Sequence, residues 1–167
     1  FDSFAQAGVQ RVVHISALRI DGCHTRYAQT KRAAEAHLQT LATQAKLRPA
    51  ILRPSVVYGK GGDSSALFMN LARLPLALFP GPMLTARVQP VSVHDLAAAV
   101  VALLGPALQH TGTIECTGPE ALTMGAFIAS LRQQLGHSPA TVLCLPQPLT
   151  TLSARLGDAV PQSPWCS

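Results

Sequence analysis

Charge and aromatic side chains are scarce in this chain of 167 residues, at 13% and 5%. The net charge of +5 is spread over Arg11, Lys31, Lys46, Arg73, Arg87, Arg132 and others, without a basic stripe or a row of aromatic platforms. Nucleic-acid recognition normally shows such a cluster. No nucleic acid is therefore expected as a partner, and the charge is assigned to solubility or to attraction of anionic ligands. Cysteine is sparse as well. Cys23, Cys116, Cys144 and Cys166 lie far apart with no C-x-x-C and no paired histidine spacing, which argues against a structural zinc site or a small disulfide scaffold. No metal is expected, and reduced thiols fit a cytoplasmic location. Long apolar runs are missing too. The longest, Leu96 to Leu104, is bounded by Asp95 and Gly105-Pro106, well short of the roughly 20 residues that span a bilayer. It is read as a buried helix, and no transmembrane segment is expected. Phe1-Asp2-Ser3-Phe4 has no basic segment leading into an apolar run, so no targeting signal is expected. The chain has no G-x-S-x-G nucleophile elbow. Glu115 and Glu120 flank a turn without a matched acid/base environment, which gives a paired-carboxylate hydrolase little support.

What is present is a hydrophobic content of 48%, the composition of a globular protein. Residues 1–8 read as the tail of a helix closed by Gly8, and 11–16 as a short strand buried on both faces. A helix over about 26–45 follows, then a second strand, 50–54, stopped by proline. Strands joined in this way are usually parallel with a right-handed crossover, which puts their C-terminal ends on one edge of the sheet. Ser16, Tyr27 and Pro54-Ser55 are expected to converge there. Beyond Val57 the chain reads as a flexible loop over 58–64, a helix over 65–73 and a proline-rich connector from Pro75. In that connector Pro80-Gly81-Pro82 argues against continuous regular structure. An extended segment through Val88, Val91 and Val93 leads into the helix at Asp95. A strand at 113–116, a helix at 124–135, a strand at 141–145 and an apolar helical stretch at 149–156 complete the reading. His14 is read as a hydrogen-bonded core histidine, and His94 lacks a second metal ligand at useful spacing.

Tyr27 and Lys31 lie four apart at the start of the first long helix, so they share a face. A phenol beside an ammonium group is a known route to a usable acid or base, because positive charge favours phenolate below its reference pKa of about 10. By itself the spacing is more common on solvated helix faces than at active sites. Context adds weight. His14-Ile15-Ser16-Ala17, Tyr27-x-x-x-Lys31, the run from Leu52-Arg53-Pro54-Ser55 to Tyr58-Gly59, and Val91-x-Val93-x-Asp95-Leu96-Ala97 occur in a characteristic order.

This ordered set resembles the atypical extended short-chain dehydrogenases/reductases, within the NAD-dependent epimerase/dehydratase superfamily, over most of residues 8–145. The short connection before Arg26-Tyr27 and the Gln89-Pro90-Val91 run look most like the dehydrogenase-like accessory subunit of respiratory complex I and its bacterial relatives. The resemblance implies an α/β fold, the C-terminal portion of a Rossmann-like doubly wound parallel sheet plus a small substrate-side α/β region. It implies three segments. Residues 1–60 would be the C-terminal half of the NAD(P)-binding domain, and 61–146 a mixed substrate-side region whose 87–104 strand-helix returns to the core. Residues 147–167 would be a C-terminal helix and tail.

The resemblance also implies roles. Tyr27 would be the general acid/base toward a hydroxyl or carbonyl of a nucleotide-sugar-like or other polar substrate, and Lys31 would assist it and bind the nicotinamide ribose. Pro54, Ser55 and Val56 would approach the nicotinamide, with Ser16 on the cofactor side of the strand end. Asp95 resembles a structural residue, and Arg87 is a candidate for an anionic substrate group as well as an ordinary exposed or paired arginine. Two departures accompany these roles. Ala17 stands where active members carry Ser or Thr, and Ser16, one residue early, points to the opposite face. No G-x-x-G-x-x-G turn lies between a strand and a helix; Gly59-x-Gly61-Gly62 follows the wrong strand and reads as a flexible loop. The chain thus resembles the C-terminal half of a longer protein, and NAD or NADP belongs to the complete form. Two alternatives follow: a non-catalytic structural or assembly subunit, partnered by respiratory-complex subunits and peripheral to the inner membrane, or an inactive truncated fragment.

Overall fold

The computed structural model describes residues 1–44, 46–81, 85–106, 110–139 and 141–145. The C-terminal helix and tail expected at 147–167 lie outside them. In chain order the elements are α1 (Asp2–Gln6), β1 (Arg11–Ile15), α2 (Arg26–Thr43), β2 (Arg48–Pro54), β3 (Val57–Tyr58), α3 (Asp63–Arg73), β4 (Leu76–Pro80), β5 (Arg87–Val88), β6 (Val91–Ser92), α4 (Val93–Leu104), β7 (Gly112–Cys116), β8 (Leu122–Thr123), α5 (Met124–Gln134) and β9 (Thr141–Leu145). The described residues fall into two compact units, one within 1–55 and 91–117, the other within 56–90 and 118–145.

The first unit is α/β, as expected, and carries a parallel sheet in the order β1-β2-β7. Val13 lies opposite Ala50 and Ile15 opposite Leu52, while Leu52 faces Ile114 on the other side. The buried residues of α2, Ala28, Glu35, Leu38 and Leu41, recur at helical spacing and form one stripe. Leu38, Leu41, Leu47 and Ile51 make the core between α2 and the sheet, with Phe1, Ala5 and Val12 packed against it. Each of the four buried leucine and isoleucine side chains contributes about 1.5–3 kcal/mol relative to exposure.

Two expectations are corrected here. β1 is not buried on both faces: Ile15 is 43% exposed, and the other residues of the strand are half-buried. The reason is position. β2 is central and buried from Pro49 to Leu52, whereas β1 lies at the side of the sheet and, among the described residues, nothing pairs with its outer edge. Nor is the apolar helix buried all round. In α4 only Leu96 and Leu103 are buried, and Val101 is 70% exposed. Residues seven apart make a single line of contact, so the alanines, valine and leucine on the far side remain open despite their apolarity. Arg11 ties the end of this helix to β1, donating Nη1 to the carbonyls of Leu103 and Gly105 at 2.9 Å each, a favourable place for a cation.

In the second unit β4 runs parallel to β9, and β5 pairs antiparallel with β8. The β4 strand departs from the irregular connector expected there. Its prolines bracket the strand instead of interrupting it, since Pro75 precedes it and Pro80 is its last residue. Ala72 of α3 packs with Phe127, Ile128 and Leu131 of α5, and the rings of Tyr58 and Phe68 meet Phe127 edge-on at 5.9 and 5.5 Å. Arg132, 6% exposed, donates Nη1 to the carbonyls of Ala72 (2.9 Å) and Leu74 (3.0 Å), and Nε to that of Ser138. A buried cation is thus held by two carbonyl oxygens at the end of α3 and one just beyond α5.

Candidate functional site

Past β1 the chain continues alongside β2: Ser16 donates its N–H to Leu52 O at 2.7 Å, and Leu18 to Pro54 O at 2.9 Å. It then turns into α2, where Thr25 Oγ1 accepts the Ala28 N–H at 3.2 Å. A cap of this type stabilises a helix by about 1 kcal/mol. The first turn it starts presents Tyr27, 55% exposed. One turn on, Lys31 donates Nζ to Ile15 O at 2.9 Å, with the same Nζ 5.6 Å from the centroid of the Tyr27 ring. This is cation–π distance. Lys31 is therefore fixed between the end of β1 and the phenol ring, and only one of its three donors is used on the backbone.

Pro54 ends β2, and Ser55 donates its N–H to Cys116 O at 2.9 Å. β1 and β2 are parallel, so Ser16 and Pro54-Ser55 lie at C-terminal strand ends on one edge of the sheet. That edge gathers Tyr27, Lys31, Ser16, Pro54 and Ser55 in one unit. Ser16 is 3% exposed, and its hydroxyl lies beside the Glu35 carboxylate, where it favours the charged form, although no hydrogen bond of proper geometry joins the two. Val56 and Arg87 belong to the second unit. Val56 packs against the Ala72–Phe127 core, and Arg87 donates Nη2 to Ala121 O at 3.3 Å.

Beneath Tyr27 and Lys31 lies a charged cluster that reading the sequence missed. Arg53 donates Nε and Nη2 to Glu35 at 3.0 and 2.6 Å, and Nη1 and Nη2 to Asp21 at 2.6 and 3.1 Å. Burial pushes the Glu35 carboxyl up, but the hydrogen bonds from Arg53, the nearby Ser16 hydroxyl and the charge of Arg53 together outweigh it and hold the group below its ordinary value; the two carboxylates raise the guanidinium in turn. Two signals were available. Glu35 continues the Tyr27, Lys31 face at the next four-residue step, and an arginine inside an apolar strand needs a partner. His14 corrects another expectation: its Nε2 is buried without a hydrogen-bond partner among the described residues, and its ring packs edge-on against Phe1 at 5.6 Å. Burial, then the charge of Lys31, lowers its pKa and favours the neutral ring. Among the described residues no group of three or more His, Cys, Asp or Glu side chains is placed to hold a metal ion. No helix among them is long and apolar enough to cross a membrane.

Residues 2–114 match the model of the NAD dependent epimerase/dehydratase family. No curated protein matches the chain. Among solved structures, it is similar to the UDP-glucose 4-epimerase of Thermus thermophilus in complex with NAD, at 20% identity and a TM-score of 0.63, covering 92% of this chain and 60% of that one. The UDP-N-acetylglucosamine 4-epimerase from Bacillus cereus aligns at 16% identity and a TM-score of 0.69, over 86% of this chain and 55% of the other. RMD from Pseudomonas aeruginosa, complexed with NADPH, aligns at 16% identity and a TM-score of 0.67, over 87% and 58%. At these identities the likeness is one of fold. The chain spans a little over half the length of these structures.

Proposed function

This chain belongs to the NAD dependent epimerase/dehydratase family, and on that premise we propose that Tyr27 and Lys31 form the nicotinamide side of an NAD(P) site acting on a hydroxyl or carbonyl of a nucleotide sugar. The observation that carries the reading is the anchoring of Lys31, with Nζ on Ile15 O at 2.9 Å and 5.6 Å from the ring of an exposed Tyr27. The residues fit the nicotinamide half of such a group. Lys31 keeps two donors for ribose hydroxyls, and Pro54 and Ser55 flank the same sheet edge. Val56 follows them as a further candidate contact. A nicotinamide cofactor supplies hydride transfer when bound. Tyr27 Oη gives a proton to the reacting substrate oxygen, or takes one from it, while Lys31 holds its charge over the ring and orients the ribose. Arg87 is the candidate for an anionic substrate group. The 167 residues contain no G-x-x-G-x-x-G turn, so the proposal concerns the nicotinamide half and not a pyrophosphate cradle.

A second, non-catalytic reading is favoured by one observation. Ala17 brings no hydroxyl, and that of Ser16 is buried beside Glu35. In this reading the nucleotide is a folding ligand of a structural or assembly subunit akin to the complex I accessory subunit. Fluorescence titration of the protein as encoded with NADH and NADPH tests what both readings share. Saturable binding is expected, weakened about ten-fold in Lys31→Ala, a loss of about 1.4 kcal/mol. Absent binding, or an affinity indifferent to Lys31→Ala, would contradict both.

A further inference from the structure

We propose that the Arg53–Asp21 ion pair is a latch that fixes residues 17–25 and so positions Tyr27. Glu35, 3% exposed, already neutralises the guanidinium in the interior with two hydrogen bonds. Asp21 is different. Its side chain is 67% exposed, so the interior does not require it, yet it takes the remaining fork of Arg53 at 2.6 and 3.1 Å. What it adds is a tie between the loop and the central strand.

A second arginine grips the same turn from the helix. Arg32 donates Nη1 to Ile20 O and, at 2.7 Å, to Cys23 O. Between these grips Ile20 is 3% exposed, Cys23 donates its N–H to Ile20 O at 3.2 Å, and Arg19 adopts a left-handed φ of 61°. That conformation is uncommon for a residue with a Cβ and persists where surrounding contacts hold it. The loop ends at Thr25, the cap of α2, two residues before Tyr27. A loop that shifts displaces the cap and the first helical turn with it. Asp21, Arg53 and Arg32 are therefore positioning residues, acting through the loop on the phenol.

The kinetic part of this inference rests on the proposed function, whereas the structural part does not. Amide hydrogen exchange and steady-state kinetics on Asp21→Ala and Asp21→Glu test both. Exposed pairs are individually weak, so Asp21→Ala is expected to speed exchange at the Leu18 and Cys23 amides about three- to five-fold, with exchange in β2 unchanged. It is expected to lower kcat by a similar factor at unaltered NADH affinity, and Asp21→Glu is expected to restore both. Unchanged loop exchange, or a rise shared equally by β2, would overturn the latch. So would a kcat indifferent to Asp21→Ala in a protein that turns over. A protein that binds no dinucleotide overturns the proposed function instead, and loop exchange then decides the latch alone.

Discussion

Exchanging Tyr27 for phenylalanine is expected to lower turnover of a nucleotide-sugar substrate about 10²–10⁴-fold, the usual contribution of a positioned acid/base. Dinucleotide affinity is expected to stay within about two-fold, because the change removes one hydroxyl and keeps the ring beside Lys31 Nζ. A group used only in the transition state lowers kcat and kcat/KM equally. Steady-state kinetics on the two proteins separate the cases. Turnover that survives the substitution would remove Tyr27 from the chemistry, and a matching loss of affinity would make it a binding residue.

Replacing Arg53 by methionine is expected to destabilise the first unit by about 3–5 kcal/mol, the range for leaving one member of a buried ion pair alone. The size follows from burial. The side chains of Arg53 and Glu35 are 16% and 5% exposed, so the carboxylate of Glu35 would lose its counter-charge without gaining water. Asp21, open to solvent, contributes little of this. Glu35→Leu added to Arg53→Met is expected to recover most of the loss, since an apolar pair of similar volume removes the stranded charge. The pH dependence has a definite sign. The folded-state pKa of Glu35 is depressed, so its contribution is present above the ordinary value of 4.5 and is lost as pH falls through the folded-state value. The deficit of Arg53→Met is expected to shrink over that acidic window. Urea unfolding at neutral pH and below pH 4.5 measures both effects, and a neutral-pH deficit under about 1 kcal/mol would contradict the assignment.

Local chemistry makes β1, α2 and β2 legible in the sequence: an apolar run after Gly8, a helix with its polar face broken at regular intervals, and a second run closed by Pro54. Tyr27 and Lys31 were legible as spacing. Tertiary structure supplied the rest, because the acceptor of Lys31 is a carbonyl sixteen residues earlier and the partners of Arg53 lie 18 and 32 residues away. Apolarity was a poor guide to burial in α4, where residue type indicates what can be buried and the single line of contact through Leu96 and Leu103 decides what is. Proline misled differently. At the two ends of β4 it removes donors that the strand interior does not need, so it bounds the strand and does not forbid it.

The proposed function stands on a nicotinamide lying against Tyr27 and Lys31. The most direct measurement is a crystal structure of the protein as encoded, grown with NADH at saturating concentration. Nicotinamide-ribose hydroxyls within hydrogen-bond distance of Lys31 Nζ, with the Tyr27 phenol beside the ring, are the expected result. A dinucleotide bound with its nicotinamide away from both residues would contradict it.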